Sequence, residues 1–201
     1  MNIYLNNNFV ATTSINGTTP VYFQQQKRVH DEIRGYLIYN NSTWSFVGCY
    51  QLLNKTDVKR IVLVLESPHK YEYDSNYNPL RPANGRTGTK INNGLQNRAF
   101  IKTLNINYVY EVNIINAIQY QTSCYFMFQN KWTRKNRDQV FRALFNKNKG
   151  NLRQDLVNRV SNYNPDIIIN ACTSNLKNVV ETALNTFTNC RKYKDKHPSS
   201  W

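Results

Sequence analysis

Polar residues able to carry acid–base chemistry stand directly after an apolar segment and near the end of the sequence. Glu66-Ser67-Pro68-His69 comes immediately after the apolar residues 60–65, and His197-Pro198-Ser199 lies close to the last residue. Carboxylates and imidazoles are among the side chains that most often transfer protons in enzymes. Both segments are therefore candidate catalytic segments, provided that the surrounding elements bring them together.

The elements that must position these residues follow from hydrophobic periodicity. Short apolar runs, typical of strands buried on both faces of a parallel sheet, cover residues 60–65, 108–115 and 166–171. Apolar residues at helical spacing predict helices at 27–38, 92–104, 138–145, 152–160 and 174–184. Strands that alternate with helices indicate an α/β fold with a mainly parallel sheet.

Ligands of open α/β sheets bind beyond the carboxyl ends of the strands. This rule selects residues 66–69, 113–116, 172–175 and 197–201. Residues 69–90 form a long loop rich in Pro, Gly, Asn and Tyr, and loops of this length in compact domains are often functional. The basic runs at 131–137 and 147–153 are interpreted as solvated faces, with contact to phosphate as the alternative for some of their residues.

Composition narrows the classes of partner. Among 201 residues, 26 are Lys or Arg and 12 are Asp or Glu, and the resulting formal charge of +14 favours nucleic acid as the partner. No apolar run approaches the roughly 18 residues of a membrane-spanning helix, so a membrane partner is not expected.

The N-terminal residues lack a basic leader and an apolar signal stretch, which predicts a cytoplasmic protein. The 4 cysteines are far apart and form no CxxC, which argues against zinc or iron–sulfur sites.

A set of short motifs accompanies the strand ends in a fixed order. Glu66-Ser67-Pro68-His69 is similar to a motif that reads GQDPY or GEAPG, and Gly85-Arg86-Thr87-Gly88 to one that reads GRAG. Asn113 falls where a base-recognising Asn is found, and His197-Pro198-Ser199 matches a closing HPS motif. The set resembles the uracil-DNA glycosylase superfamily, most closely its GEAPG-type branch, from about residue 60 onward.

The resemblance implies a three-layer α/β sandwich around a central, mainly parallel four-stranded sheet. Residues 56–201 are then the glycosylase-like domain, and residues 1–55 are an N-terminal extension packed on it or preceding it. The resemblance also implies a monomer that works on DNA without a metal or an organic cofactor.

Such an enzyme turns a base out of the DNA stack and hydrolyses the bond between base and sugar. The resemblance implies that His197 hydrogen-bonds the leaving base and that Glu66 orients water or stabilises the cationic sugar. The positions implied to contact the base are Asn113, with Asn116 as its substitute, His69 and Ala83. The positions implied to contact the DNA backbone or to act as a wedge are Ser67, Pro68, Arg86, Ser199, Ser200 and Trp201.

Departures from the family pattern affect the expected substrate. Ser67 replaces the water-activating Asp of GQDPY, and His69 replaces its Tyr or the final Gly of GEAPG. The aromatic residue that precedes GRAG is absent, because Pro82-Ala83-Asn84 stands there, and the cluster cysteines are missing too. The small Ala83 predicts an enlarged pocket for a modified pyrimidine. A modified cytosine of phage DNA is one such base, which would imply a role in host defence.

Two other interpretations remain open. The chain can be a non-catalytic member of the same fold that binds DNA or a protein. It can also be a basic nucleic-acid-binding protein in which the motif matches are accidental. Individual residues have plainer roles as well, since Glu66 can cap a turn or pair with a cation and Trp201 can lie against the domain. A nuclease is disfavoured, because no cluster of carboxylates for metal follows the strands.

Overall fold

The computed structural model describes residues 1–17, 19–49, 57–146 and 150–201. The strands are β1 (Asn2–Leu5), β2 (Asn8–Thr12), β3 (Val21–Phe23), β4 (Glu32–Asn40), β5 (Thr43–Gly48), β6 (Val58–Leu65), β7 (Val109–Asn116), β8 (Ile167–Asn170) and β9 (Arg191–Lys194). The α-helices are α1 (Arg86–Gly94), α2 (Tyr125–Phe128), α3 (Arg134–Asn146), α4 (Leu152–Tyr163) and α5 (Ser174–Leu184).

A mixed sheet of six strands organises the α/β fold, in the order β5-β4-β7-β6-β8-β9. The neighbours among β7, β6, β8 and β9 are all parallel, whereas β4 is antiparallel to both β5 and β7. A second sheet of three strands has the order β2-β1-β3. Because β6, β7 and β8 run in the same direction, the segments that follow them meet at one edge of the main sheet.

The six strands exceed the four that the sequence predicts, because residues 32–48 join the sheet as a hairpin. The predicted helix at 27–38 is wrong, since most of it lies in β4. Asn41 and Ser42 connect β4 to β5 with φ angles of 50° and 64°, the left-handed values of a tight two-residue hairpin turn. The predicted domain boundary between residues 55 and 56 lies outside the described residues.

Two hydrophobic clusters lie on opposite faces of β6, because its side chains alternate. Val62 and Val64 pack with residues of α3, α4 and α5, while Ile61 and Leu63 pack with residues of α1 and the turns that follow it. Both faces of the central strand are therefore buried, as its continuous apolar sequence predicts.

The predicted helices at 138–145, 152–160 and 174–184 correspond to α3, α4 and α5. The predicted helix at 92–104 is only partly helical, because α1 ends at Gly94 and tight 3-10 turns follow at Leu95–Asn97 and Ala99–Thr103. Within the described ranges, no helix has the length and the apolar character needed to cross a membrane.

Candidate active site

A cavity of about 780 Å³ opens where β6 and β8 end. Its wall is formed by residues of the segments at 65–72, 83–87, 123–137 and 197–199, together with Thr173. The predicted site residues that line it are Glu66, Ser67, Pro68, His69, Ala83, Arg86, His197 and Ser199. Asn113, Asn116, Ser200 and Trp201 are not among the lining residues.

Glu66 is a buried carboxylate that the fold holds at both oxygens. It directly follows β6, and its backbone carbonyl accepts a hydrogen bond from the N–H of Ile118 at 3.0 Å. Oε1 accepts from Nη1 of Arg137 at 3.1 Å, and Oε2 accepts from the backbone N–H of Thr173 at 3.0 Å. Two residues that lie far apart in the sequence, Arg137 and Thr173, therefore fix one carboxylate.

His197 faces this carboxylate. Its Nε2 lies 3.7 Å from Oε2 of Glu66, and its Nδ1 accepts the backbone N–H of Ser199 at 3.2 Å. Because Nδ1 acts as an acceptor, we assign the proton of the neutral ring to Nε2, on the side of Glu66. Burial lowers the pKa of His197, although the charge of Glu66 opposes this shift. The ring is therefore a neutral donor around pH 7.

Arg137, in the first turn of α3, connects the acidic groups behind the cavity. Besides Glu66, it donates to Oδ1 of Asp138 from Nε at 2.9 Å and to Oγ1 of Thr173 from Nη2 at 3.2 Å. Asp138 in turn accepts from Nδ2 of Asn175 at 3.1 Å. The interpretation of residues 131–137 as a solvated face is thus wrong for Arg137, which points inward.

Glu72 is a second buried carboxyl group in the cavity wall, at a position that no sequence motif marks. Its Oε1 accepts the N–H of His69 at 3.1 Å, and its Oε2 accepts from Nδ2 of Asn116 at 3.0 Å. Burial raises the pKa of Glu72 to about 7. Its hydrogen bonds connect the loop after β6 to the end of β7.

The two asparagines of β7 have different surroundings. Asn113 is fully buried, and its Nδ2 donates to Oε1 of Glu111 at 3.0 Å. Asn116 has the opposite side-chain parity in the strand and contacts the cavity wall through Glu72. Of the two predicted base-contacting asparagines, the structure thus connects only Asn116 to the cavity.

Burial and nearby positive charge set the state of His69, which begins the turn that contains Glu72. Burial lowers the pKa of His69, and the charges of Lys70 and Arg137 lower it further. Its Nδ1 accepts the backbone N–H of Tyr71 at 3.5 Å. The side chain therefore caps the turn and also lines the cavity.

The Gly-Arg-Thr-Gly motif places α1 against the cavity wall. Gly85 has a φ of 151°, which side chains rarely allow, and Arg86 begins the helix. A Cβ at Gly88 would lie 1.9 Å from the carbonyl oxygen of Ala83. The two glycines thus permit a close approach that brings the methyl group of Ala83 into the wall.

Aromatic rings enter the cavity from segments that the sequence motifs do not mark. Tyr71, Tyr125 and Trp132 are lining residues. The Nζ atom of Lys70 lies 5.2 Å from the ring centre of Tyr71 and 4.5 Å from that of Tyr125. The aromatic ring missing before Gly85 therefore has counterparts in other parts of the wall.

The residues after His197 pack against the domain. Nε1 of Trp201 donates to the carbonyl oxygen of Lys196 at 2.9 Å, and the guanidinium of Arg98 lies 5.0 Å from its ring centre. Ser200 donates from Oγ to the carbonyl oxygen of His197 at 2.7 Å. In this structure the ring of Trp201 thus packs against Arg98, and the hydrogen bond of Ser200 stabilises the turn that contains His197.

No cysteine is among the described residues that line the cavity. The 4 cysteines are free, and burial raises the pKa of both Cys124 and Cys172. In the part of the chain that the structure describes, no group of three or more His, Cys, Asp or Glu residues is arranged to hold a metal ion.

Comparisons with protein-family models, with curated proteins and with solved structures gave no match to this chain. Its function must therefore be inferred from its own residues and their geometry.

Proposed function

We propose that this protein is a DNA N-glycosylase of the uracil-DNA glycosylase type, which hydrolyses the bond between a flipped-out base and its sugar. One observation carries the proposal. The motif residues Glu66 and His197, which the sequence separates widely, face each other at 3.7 Å in one cavity at the carboxyl ends of the strands.

The architecture supports this assignment. The parallel strands β7, β6, β8 and β9 correspond to the central four-stranded sheet of a three-layer sandwich, with helices packed on both faces. On this interpretation, β4, β5 and the small sheet are additions from the N-terminal part of the chain. The protein would act as a monomer on DNA in the cytoplasm, without a metal or an organic cofactor.

His197 is assigned to the leaving base. When the glycosidic bond breaks, negative charge grows on the base, and a donor aimed at a base carbonyl stabilises that charge. The neutral ring presents Nε2–H for this purpose, because Nδ1 is occupied by the N–H of Ser199. Removing one such donor typically lowers the rate by about 10²–10³.

Glu66 is assigned to the attacking water and the cationic sugar. A carboxylate has about four acceptor sites. Arg137 and the N–H of Thr173 use two of them, so acceptor sites remain for a water molecule. Its negative charge also stabilises positive charge that develops on the sugar. Help from a general base is commonly worth about 10²–10⁴ in rate.

The size and the lining of the cavity support the proposal that the substrate is a base larger than uracil. Its volume of about 780 Å³ falls within the range of pockets for drug-sized ligands, and Ala83 adds only a methyl group to the wall. Tyr71, Tyr125 and Trp132 contribute aromatic rings to the wall, while Asn116 and Glu72 provide polar contacts near it. We therefore propose a modified pyrimidine as substrate. If that base is a modified cytosine of phage DNA, the enzyme would serve host defence.

The test is base release from labelled DNA duplexes and single strands. The panel contains uracil, thymine mismatches and bulky modified cytosines, and alkali cleavage reveals abasic sites. We expect cleavage at one class of base, with uracil cut more slowly than the bulky base. His197→Ala and Glu66→Gln should each lose at least a hundredfold in rate. His30→Ala, which changes an exposed histidine outside the cavity, is the matched control.

Two results would replace the proposal. No base release from any substrate, with DNA binding retained by the wild type and by His197→Ala, would indicate a non-catalytic member of the fold. Binding that depends steeply on salt and ignores every modified base would indicate a general nucleic-acid-binding protein. Faster release of uracil than of any bulky base would remove the larger-base assignment alone.

A further inference from the structure

Three cationic residues line the cavity without an acidic partner: Lys70, Arg86 and Arg134. Within the described residues, none of their side chains forms an ion pair. Arg137 in the same wall differs, because Glu66 and Asp138 balance its charge. The three cations come from separate segments, namely the loop after β6, the start of α1 and the start of α3.

Of the three cations, Lys70 is the one whose charged group the aromatic residues of the cavity wall surround. The rings of Tyr71 and Tyr125 both lie within about 6 Å of its ammonium group, the range of a cation–π contact. These contacts restrict a flexible side chain, yet they occupy none of its three N–H donors. Lys70 therefore presents a restrained positive charge to the cavity.

The acidic groups of the wall do not cancel this charge. Among the residues that the structure describes, Glu66 and Glu72 are the only acidic ones that line the cavity, and Glu66 already pairs with Arg137. Glu72 carries only part of its charge near pH 7, because burial raises its pKa to about 7. Thr87, Ser123 and Thr133 add hydroxyl groups to the same wall. Basic side chains together with hydroxyls are the usual protein contacts to phosphate.

We infer that Lys70, Arg86 and Arg134 form a basic mouth that binds the phosphate groups of the nucleotide entering the cavity. The inference rests on the proposed function for the identity of the ligand as a nucleic acid. Binding of phosphate at the mouth, however, does not require that the base be released. The ligand class is thus a phosphate-bearing nucleotide, either within a strand or free.

The experiment measures the affinity of the full chain for fluorescent oligonucleotides between about 50 and 200 mM salt. Lys70→Gln, Arg86→Gln and Arg134→Gln should each reduce the slope of log K against log salt. The expected reduction per lost phosphate contact is about 0.9 on duplex DNA and about 0.7 on single strands. Lys192→Gln, on the exposed strand β9 and outside the cavity, is the control and should leave the slope unchanged.

Equal slopes for the wild type and the three mouth variants would overturn the inference. An equal reduction in Lys192→Gln would do the same, because it would mean that charge acts diffusely over the surface. Thermal unfolding of each variant shows whether the fold is retained. Changed slopes without base release would keep the basic mouth and remove the glycosylase, whereas base release with unchanged slopes would do the reverse.

Competition distinguishes the two sources of phosphate. Thymidine 5′-monophosphate and thymidine are added separately to the complex with DNA. Stronger competition by the nucleotide, lost in a variant that lacks all three cations, would assign the mouth to a single nucleotide phosphate. Changed salt slopes with no competition by either compound would assign it to the phosphodiesters of a strand.

Discussion

Nε2 of His197 lies 3.7 Å from Oε2 of Glu66, and this contact connects the end of the central strand β6 to the turn at the end of the chain. The other carboxylate oxygen of Glu66, Oε1, accepts a hydrogen bond from Nη1 of Arg137. The imidazole and the guanidinium thus share one carboxylate, so a change in either partner alters the electrostatic surroundings of the other.

The first prediction concerns this shared charge. Burial lowers the pKa of His197, and the charge of Glu66 partly offsets the shift. Glu66→Gln should therefore lower the pKa of His197 further, as followed by NMR titration of the ring. His69 serves as the reference within the same molecule, because burial, Lys70 and Arg137 account for most of its lowered pKa. A raised or unchanged pKa of His197 in the variant would contradict the assigned contact.

The same shift predicts how stability depends on pH. The pKa of His197 is lower in the folded state than its ordinary value of 6.5, so the unfolded chain binds the proton more readily. The stabilisation from the neutral ring is complete above the unfolded pKa and is lost as the pH falls through that value. In urea unfolding between pH 5 and 8, the stability of the wild type relative to His197→Ala should therefore decrease as the pH falls, because any contribution of Glu72 is common to both proteins. Parallel profiles for the two proteins would contradict it.

A third prediction concerns Arg137. Its replacement by Gln leaves Glu66 and Asp138 buried without their counter-charge, because the side chains of both acids are less than a tenth exposed. Removing one partner of a buried ion pair typically costs about 3 kcal/mol or more. We expect a loss of this size for Arg137→Gln in urea unfolding. Lys135→Gln, an exposed change on the same helix, should cost less than about 0.5 kcal/mol. Equal losses in the two variants would show that the acids do not depend on Arg137.

The central strands were predictable because they are buried on both faces, so their sequences are continuously apolar. For this reason the runs at 60–65 and 108–115 match β6 and β7 within two residues at each end. The location of the segments that follow these strands was predictable as well, since parallel strands end at a common edge of the sheet. The position of Glu66 in the cavity follows from that rule.

The remaining elements depend on contacts that are distant in the sequence. The spacing of apolar residues in β4 fits a helix equally well, and its pairing with β7 and β5 decides in favour of a strand. β9 is a mostly exposed, lysine-rich strand at the edge of the sheet, and only its partner β8 defines it. Likewise, no local pattern shows that Arg137 is the member of its basic run that points inward.

Glu72 leads to the fourth prediction. Its pKa rises from an ordinary 4.5 to about 7 in the folded protein, so the folded state binds the proton more tightly than the unfolded chain. The stability that this group contributes is present below the unfolded pKa and is lost as the pH rises through the folded value. The total change is roughly 3 kcal/mol. Glu72→Gln, which does not titrate, should lack this loss between pH 5 and 8 in urea unfolding. A wild-type profile that stays parallel to that of the variant would contradict the burial of an ionisable Glu72.

Two glycines of α1 allow a matched test of how closely the helix approaches the cavity wall. A Cβ at Gly88 would lie 1.9 Å from the carbonyl oxygen of Ala83 and 2.4 Å from Nη2 of Arg34, so the helix must move away from the wall. Overpacking of this kind typically costs about 1–3 kcal/mol. A Cβ at Gly94 would meet only Cβ of Trp201 at an ordinary 3.5 Å. Gly88→Ala should therefore lower the free energy of unfolding by about 2 kcal/mol, while Gly94→Ala should be neutral or slightly stabilising.

Because Ala83 and Arg86 both line the cavity, Gly88→Ala should also weaken DNA binding, which Gly94→Ala should leave intact. Equal stability and binding in the two variants would show that α1 does not need this close approach to shape the cavity.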